Sequence, residues 1–241
     1  MKEVVKPYSK EGSKKTQVET MFDNVAFTYD ILNRILSFNI DIYWRNILVD
    51  LIKGLKNNKI LDIATGTGDL AITIAKKIKT EVTGFDLSQN MLSVADKKVK
   101  KENLSKYVSL IHGDAENMPF NENEYDIVTV SFGVRNFENL DKGLTEIYRV
   151  LKLNGSLFIL EFSQPENFIF KKLYFFYFTK ILPFIGGILS KDKYAYSYLP
   201  SSVYNFPHGE QMLAILSKNG FKNTSFKKLT FGIASIYIAK K

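Results

Sequence analysis

Between residues 18 and 56 the apolar positions recur every three or four residues. Met21, Val25, Ile31, Leu32 and Ile35 form one set, and Trp44, Ile47, Leu48, Leu51 and Ile52 a second. That spacing places each set on one face of a helix, so two or three N-terminal helices are expected. After Asn57-Asn58 the period changes. Short β-rich runs at 60–64, 82–86, 108–112, 125–131 and 156–162 alternate with helical stripes. The stripes are Leu70, Ala71, Ile74, Ala75 and Ile78, then Met91, Leu92, Ala95 and Val99, then Leu140, Leu144, Ile147, Tyr148 and Leu151. Ser88 is placed to cap the second stripe, and Asn154-Gly155 is a turn signal after the third. Regular strand–helix alternation is the sequence form of a mostly parallel sheet covered on both faces.

The 168–189 stretch is dense in aromatic and aliphatic residues, but Lys171, Lys172, Lys180 and Pro183 interrupt it. That argues against a membrane-spanning helix and for a lid or surface-seeking helix. Beyond it, residues 210–218 read as a helix stopped by Gly220. Runs at 224–229 and 233–239, joined through Thr230-Phe231-Gly232, read as a closing antiparallel hairpin. No Pro/Gly/Ser-rich linker divides the chain, so residues 1–241 are expected to form one domain. It would comprise N-terminal helices over 18–56, a ligand-binding core over 57–164, a lid insertion over 165–207, and a final helix and hairpin over 208–241. Residues 1–17 are polar enough to predict a loose arm.

Apolar residues make up 45% of the chain, enough for a packed core. With no cysteine there is no disulfide, thiolate catalysis or Cys-ligated metal, and His112 and His208 alone do not build a zinc site. No long apolar run lies within the first 25 residues, which leads us to expect a cytoplasmic protein. The net charge of +8 and pI near 9.3 favour anionic surfaces, either acidic lipid or nucleic acid. The lysines are scattered rather than striped and no recognition motif appears, so nucleic acid is not the expected partner.

The first core strand runs into Thr65-Gly66-Thr67-Gly68-Asp69-Leu70-Ala71, a G-x-G-x-x-A loop opening a helix. Gly66 and Gly68 allow backbone N–H groups to approach a nucleotide-like ligand at a strand end. Asp86 ends the second strand 20 residues after Gly66, where an acid holds both ribose hydroxyls. Dinucleotides share that geometry, so charge must discriminate. Asp62 and Asp69 flank the loop and would oppose a pyrophosphate, whereas the sulfonium and ammonium of S-adenosylmethionine would be favoured. After the third strand, Asp114 is placed to accept from an adenine amino group and the Ala115 N–H to meet a ring nitrogen. Ser131 ends the fourth strand beside the donor's methionine portion. The expected fold is therefore α/β and Rossmann-like, of the class I methyltransferase kind. It would have a mostly parallel seven-stranded sheet, a C-terminal antiparallel hairpin and a helical lid.

Several longer segments carry a resemblance. Leu61 to Leu70, Gly113-Asp114-Ala115-Glu116-Asn117-Met118-Pro119-Phe120, Phe132-Gly133-Val134-Arg135-Asn136-Phe137, Tyr148-Arg149-Val150-Leu151-Lys152 and Leu160-Glu161-Phe162-Ser163 resemble the menaquinone and ubiquinone biosynthesis C-methyltransferase family. So do Tyr29-Asp30-Ile31-Leu32-Asn33 and Ser197-Tyr198-Leu199-Pro200, so the likeness spans nearly the whole chain. The Phe-Gly-x-Arg-Asn and Leu-Glu-Phe-Ser blocks are the more family-specific. The resemblance implies donor contacts at Thr67, Asp86, Asp114, Ala115 and Ser131. It also implies methylation of a ring carbon on a polyprenylated quinol, with demethylmenaquinol to menaquinol favoured. A benzoquinol, or another lipid-like acceptor such as a sterol, is the alternative. Thr65 stands where the family often has Gly, which is tolerable if its side chain turns from the ligand. Leu153-Asn154-Gly155 replaces Pro-Gly-Gly, and Ser201 replaces an acid whose role does not carry over.

Ring-carbon methylation needs alignment and a phenolate-like acceptor more than a nucleophile. Arg135, after the fourth strand, is the candidate to polarise a quinol oxygen or the water removing its proton, with Asn136 orienting it. Glu161 is an acid it would pair with. Tyr29 is the candidate for a further hydrogen bond from the N-terminal helices. Lid aromatics 168–178 offer apolar surface for a prenyl tail, for peripheral contact at the inner face of the cytoplasmic membrane, or for a homodimer.

Overall fold

The computed structural model describes residues 5–8, 11–55, 59–181 and 193–241. Helix α1 (Lys14–Ser37) starts earlier than the apolar pattern suggested, because Ser13 caps it by accepting from the Thr16 N–H. Lys14 and Gln17 are buried, so the last part of the expected loose arm is instead the first turn of a packed helix. At Phe38 and Asn39 the backbone is left-handed (φ 52° and 60°), and α2 (Ile40–Lys53) follows directly, so the N-terminal region holds two helices.

The strands and helices then alternate: β1 (Lys59–Ile63), α3 (Asp69–Ile78), β2 (Glu81–Asp86), α4 (Gln89–Lys101), β3 (Val108–His112), β4 (Tyr125–Ser131), α5 (Leu140–Val150) and β5 (Leu151–Phe162). The lid contributes α6 (Phe168–Phe176), a π-helical turn (Tyr177–Ile181) and α7 (Lys193–Asn205). Helix α8 (Glu210–Lys218) and strands β6 (Lys222–Leu229) and β7 (Ala234–Lys240) complete the chain. The Asn57-Asn58 break and the 182–189 part of the expected lid run lie outside the described residues.

The seven strands are ordered β3-β2-β1-β4-β5-β7-β6. All pairings are parallel except those of β7 with β5 and β6. The sheet is thus the expected Rossmann-like α/β arrangement with a C-terminal hairpin. Asn154 (φ 63°) makes the turn early in β5, and the β4–β5 register shifts there. One face buries Leu48, Ile52 and Ile74 of α2 and α3 against Ile60 and Val82. The other buries Leu144, Ile147, Met212 and Leu216 of α5 and α8 against Ile63, Val130 and Ile159. Strand order reverses between β1 and β4, which opens a crevice at their C-terminal ends. Ala64 (φ 52°) and Phe132 (φ 58°) turn the chain left-handed as each of these strands ends, and α1 supplies residues that wall the crevice.

Candidate active site

Two adjoining cavities occupy that end of the sheet. The first is lined by Gly66, Asp86, Asp114, Ala115, Ser131 and Asn136 from the sheet side, and by Lys15, Glu19 and Phe22 of α1. Gly66 has φ +57°, and a Cβ there would meet nothing within 4 Å, so its backbone borders open space. Asp86 fastens this loop: one carboxylate oxygen accepts the Gly66 N–H at 2.7 Å and the other the Ser88 N–H at 2.8 Å. Burial pushes its carboxyl above the usual range against those two bonds. Ser131, a lining residue of the cavity, has a buried Oγ without a hydrogen-bond partner.

Three expected donor contacts lie elsewhere. Asp62 sits beneath the loop, 1% exposed, where it accepts from the Thr65 and Thr129 hydroxyls at 2.7 Å each. Burial raises its carboxyl to about 6. The Thr65 side chain therefore turns inward, which is the condition under which Thr can replace Gly here. Thr67 donates to Asp30 on α1 at 2.5 Å, tying the loop to that helix. Gly68, at φ +80°, caps α3, and a Cβ there would stand 3.1 Å from that of Ala95 on α4; it lets two helices close up.

Asp69, the second carboxylate expected beside the loop, faces the other way. It is ion-paired with Arg34, with Lys98 at 2.5 Å and with Arg45 at 3.6 Å. These cations hold its carboxyl at about 2, against the opposing effect of burial. Other carboxylates give the cavity its acidic character. Glu19, Asp86, Asp114, Glu116 and Glu138 line the first cavity against, among the described residues, the single ammonium of Lys15, a balance that suits a cationic ligand.

Asp114 accepts the Glu116 N–H at 2.9 Å and pairs with Lys15 at 2.6 Å. Next to it, Lys14 Nζ donates to the Arg135 and Phe137 carbonyls at 2.7 and 2.8 Å, and its N–H to Glu138 at 2.8 Å. Burial, and secondarily the Arg135 charge, lowers that ammonium to about 8. The two lysines clamp α1 over the cavity. In the sequence they look like part of a solvated basic arm, and no local signal separates them from one.

The second cavity is predominantly apolar and bounded by α1, α2 and the lid helices. Phe22, Tyr29 and Phe132 line both cavities and form the partition. Arg135 reaches the second cavity from the turn after β4. Its Nη1 donates to the Phe132 carbonyl and, at 2.8 Å, to Glu161, while Nε has no partner. The expected Arg135–Glu161 pair is present and leaves the guanidinium Nε unpaired. Glu161 is fully buried, and burial raises its carboxyl against the pull of Arg135. Asn136 lines the first cavity and accepts from the Tyr198 hydroxyl at 3.2 Å, and half-buried Tyr29 stands where the two cavities meet. The polar groups that sequence reasoning missed here are Tyr174, Tyr198, Asp41 and Arg45; their aromatic or helical settings read as packing or surface.

The chain matches the model of the ubiE/COQ5 methyltransferase family over residues 10–241. It is 46% identical over 240 residues to a demethylmenaquinone methyltransferase of Bacteroides fragilis, covering 99% of this chain and 98% of that protein. It is 45% identical over 230 residues to a ubiquinone/menaquinone biosynthesis C-methyltransferase of Geotalea daltonii, covering 95% and 97%. Among solved structures, a SAM-dependent methyltransferase from Aquifex aeolicus shares the fold (TM-score 0.58, 21% identity, 80% of this chain and 87% of that one). On its sequence over nearly its full length, and on the fold that sequence adopts, this chain belongs to the ubiE/COQ5 methyltransferase family.

Proposed function

We propose that this methyltransferase carries a methyl group from S-adenosylmethionine to a ring carbon of demethylmenaquinol, giving menaquinol. The observation that carries this reading is the pair of cavities sharing one aromatic partition, the first acidic, the second apolar with an arginine edge. S-adenosylmethionine, when bound, supplies an electrophilic methyl on a sulfonium. Gly66, Asp86, Asp114, Ala115 and Ser131 are the residues that would hold it, and their orphan hydroxyl, open glycine and net negative lining fit a cationic adenosine derivative. Asp62, Thr67 and Gly68 act on the donor through the loop they shape.

In the second cavity, Arg135 presents Nε to an oxygen of the ring and favours its phenolate-like form. Tyr29, at the partition, constrains the ring beside the donor cavity, and Asn136, on the donor side, holds the Tyr198 hydroxyl in the acceptor-cavity wall. Apolar walls from α1 and the lid suit the prenyl tail, and Phe38, 75% exposed yet lining the cavity, marks where the tail leaves. The names of the Bacteroides fragilis and Geotalea daltonii proteins support a quinone-pathway acceptor. The test compares methyl transfer to demethylmenaquinol, to a demethylated benzoquinol and to a sterol under reducing conditions; preference for either alternative acceptor overturns the naphthoquinol assignment.

Peripheral contact with the inner face of the cytoplasmic membrane completes the reading. Phe168, Leu173 and Phe176 of the lid and Phe27, Ile31 and Ile35 of α1 are exposed, with Lys97 stacked on Phe27 at 5.7 Å. Such apolar surface beside cations suits an anionic bilayer. No helix among the described residues is long and apolar enough to cross a membrane. Co-sedimentation with phosphatidylglycerol vesicles tests this contact. A dimer in light scattering, without vesicle binding, would assign the face to a second copy of the chain.

A further inference from the structure

Besides Arg135 Nε, the described residues that line the second cavity include one more buried polar atom without a partner, the hydroxyl of Tyr174 on α6. Its ring is held firmly, 4.5 Å from that of Phe178 and 5.8 Å from that of Phe175, and the residue is 7% exposed. The walls around it include Leu36, Phe162 and Phe178. An unpaired hydroxyl among such groups is a defect that a bound oxygen acceptor removes.

Reading this cavity as the acceptor site, we infer that Tyr174 donates a hydrogen bond to one oxygen of a two-oxygen aromatic ring, while Arg135 engages the other. Tyr174 comes from the lid and Arg135 from the end of β4, so the two donors approach from different walls. A ring with oxygens at opposite edges satisfies both and is fixed in orientation by them. An acceptor with one oxygen leaves one donor unpaired, so this arrangement selects para-dioxygenated rings over sterol-like molecules. Burial raises the Tyr174 phenol above its ordinary range, which keeps it a donor at neutral and alkaline pH. It is a positioning residue that also links lid placement to acceptor binding.

The substitution Tyr174→Phe removes the hydroxyl and keeps the ring. Trp44 lies in the wall of the same cavity and is the chain's single tryptophan, so its quenching reports occupancy. The probes are a short-chain demethylmenaquinone and, as a control without oxygen, naphthalene. The variant is expected to bind the quinone roughly tenfold more weakly, the magnitude of one hydrogen bond to a polar ligand group. Its affinity for naphthalene and for S-adenosylmethionine should be unchanged, and its Tm equal to or above that of the parent, because no protein hydrogen bond is lost. Quinone affinity within twofold of the parent, or a lowered Tm, would overturn the inference. Should the parent bind quinone in a Tyr174-dependent way yet transfer no methyl to demethylmenaquinol, the inference stands and the proposed reaction falls. Should transfer proceed equally in both proteins at equal affinity, the reaction stands and the inference falls. Absence of quinone binding to the parent would overturn both.

Discussion

Removing Glu161 tests how Arg135 is held. The Glu161 carboxylate is 0% exposed and accepts from Arg135 Nη1 and from the Phe162 N–H, each at 2.8 Å. In Glu161→Ala the guanidinium, itself 6% exposed, would keep the Phe132 carbonyl as its one hydrogen-bond partner among the described residues. Stripping one member from a buried pair costs about 3–5 kcal/mol, since the remaining charge stays buried without compensation. For a chain of this size each kcal/mol moves Tm by roughly 2–4 °C, so a fall of about 6–20 °C is expected. Glu161→Gln, which keeps volume and an acceptor, should fall by less. A double variant, Glu161→Leu with Arg135→Met, should lose less than the sum of the two single losses. Thermal and guanidinium unfolding at pH 8 compares the parent, Glu161→Ala, Glu161→Gln, the two single variants Glu161→Leu and Arg135→Met, and the double variant. A loss below about 1 kcal/mol in Glu161→Ala, or strict additivity in the double variant, would show that the pair does not hold Arg135 as described.

Asp62→Asn should stabilise the protein above pH 6. A carboxyl moved from 3.8 to about 6 binds its proton more tightly when folded, so its penalty is absent below pH 4 and complete above pH 6. The gain should reach about 3 kcal/mol at pH 7.5 and vanish near pH 4 in denaturant titrations; a pH-independent difference would contradict this origin. Asp69→Asn runs the opposite way. Its carboxyl is held at about 2, a stabilisation complete above pH 4 and lost as pH falls through 2, so the variant should lose about 2 kcal/mol at pH 7. Its affinity for S-adenosylmethionine by calorimetry should nevertheless stay within about twofold of the parent; a large loss would return Asp69 to the donor site. Gly113→Ala would place a Cβ 2.6 Å from the ring of Phe85, itself fully buried and packed on Phe120. Overpacking of about 1–3 kcal/mol is expected, with weaker donor binding as Asp114 shifts; unchanged unfolding and affinity would show that this ring has room to yield.

The core strands and hairpin were legible because strand and helix periods alternate cleanly between residues 60 and 162, and because the glycine loop and Asp86 keep their spacing. Gly66, Asp86, Asp114, Ala115 and Ser131 converge on one cavity because each stands at or just beyond the carboxyl end of a parallel strand. Asp62 and Asp69 show the limit of such reasoning. Proximity along the chain put both beside the loop, but Asp62 points down between two threonine hydroxyls, and Asp69 points back to Arg34, Arg45 and Lys98. Which way these side chains point depends on partners that, Thr65 apart, lie more than 20 residues away along the chain. For the same reason Lys14 and Lys15 read as a solvated arm, since their partners Arg135, Phe137 and Asp114 lie about 100 residues away in sequence. Tyr174 read as one aromatic among many; its distinction is an unpaired hydroxyl, which only three-dimensional packing reveals.

The most direct measurement is single-turnover transfer of labelled methyl from S-adenosylmethionine to demethylmenaquinol, with donor affinity measured alongside, in the parent, Asp86→Ala and Arg135→Ala. A donor cavity held by Asp86 and an acceptor cavity edged by Arg135 predict labelled menaquinol from the parent. Asp86→Ala should lose both donor binding and product, and Arg135→Ala should lose product with donor binding kept. Weak donor binding in Arg135→Ala, or wild-type transfer by that variant, would contradict the division of the site into two cavities with separate tasks.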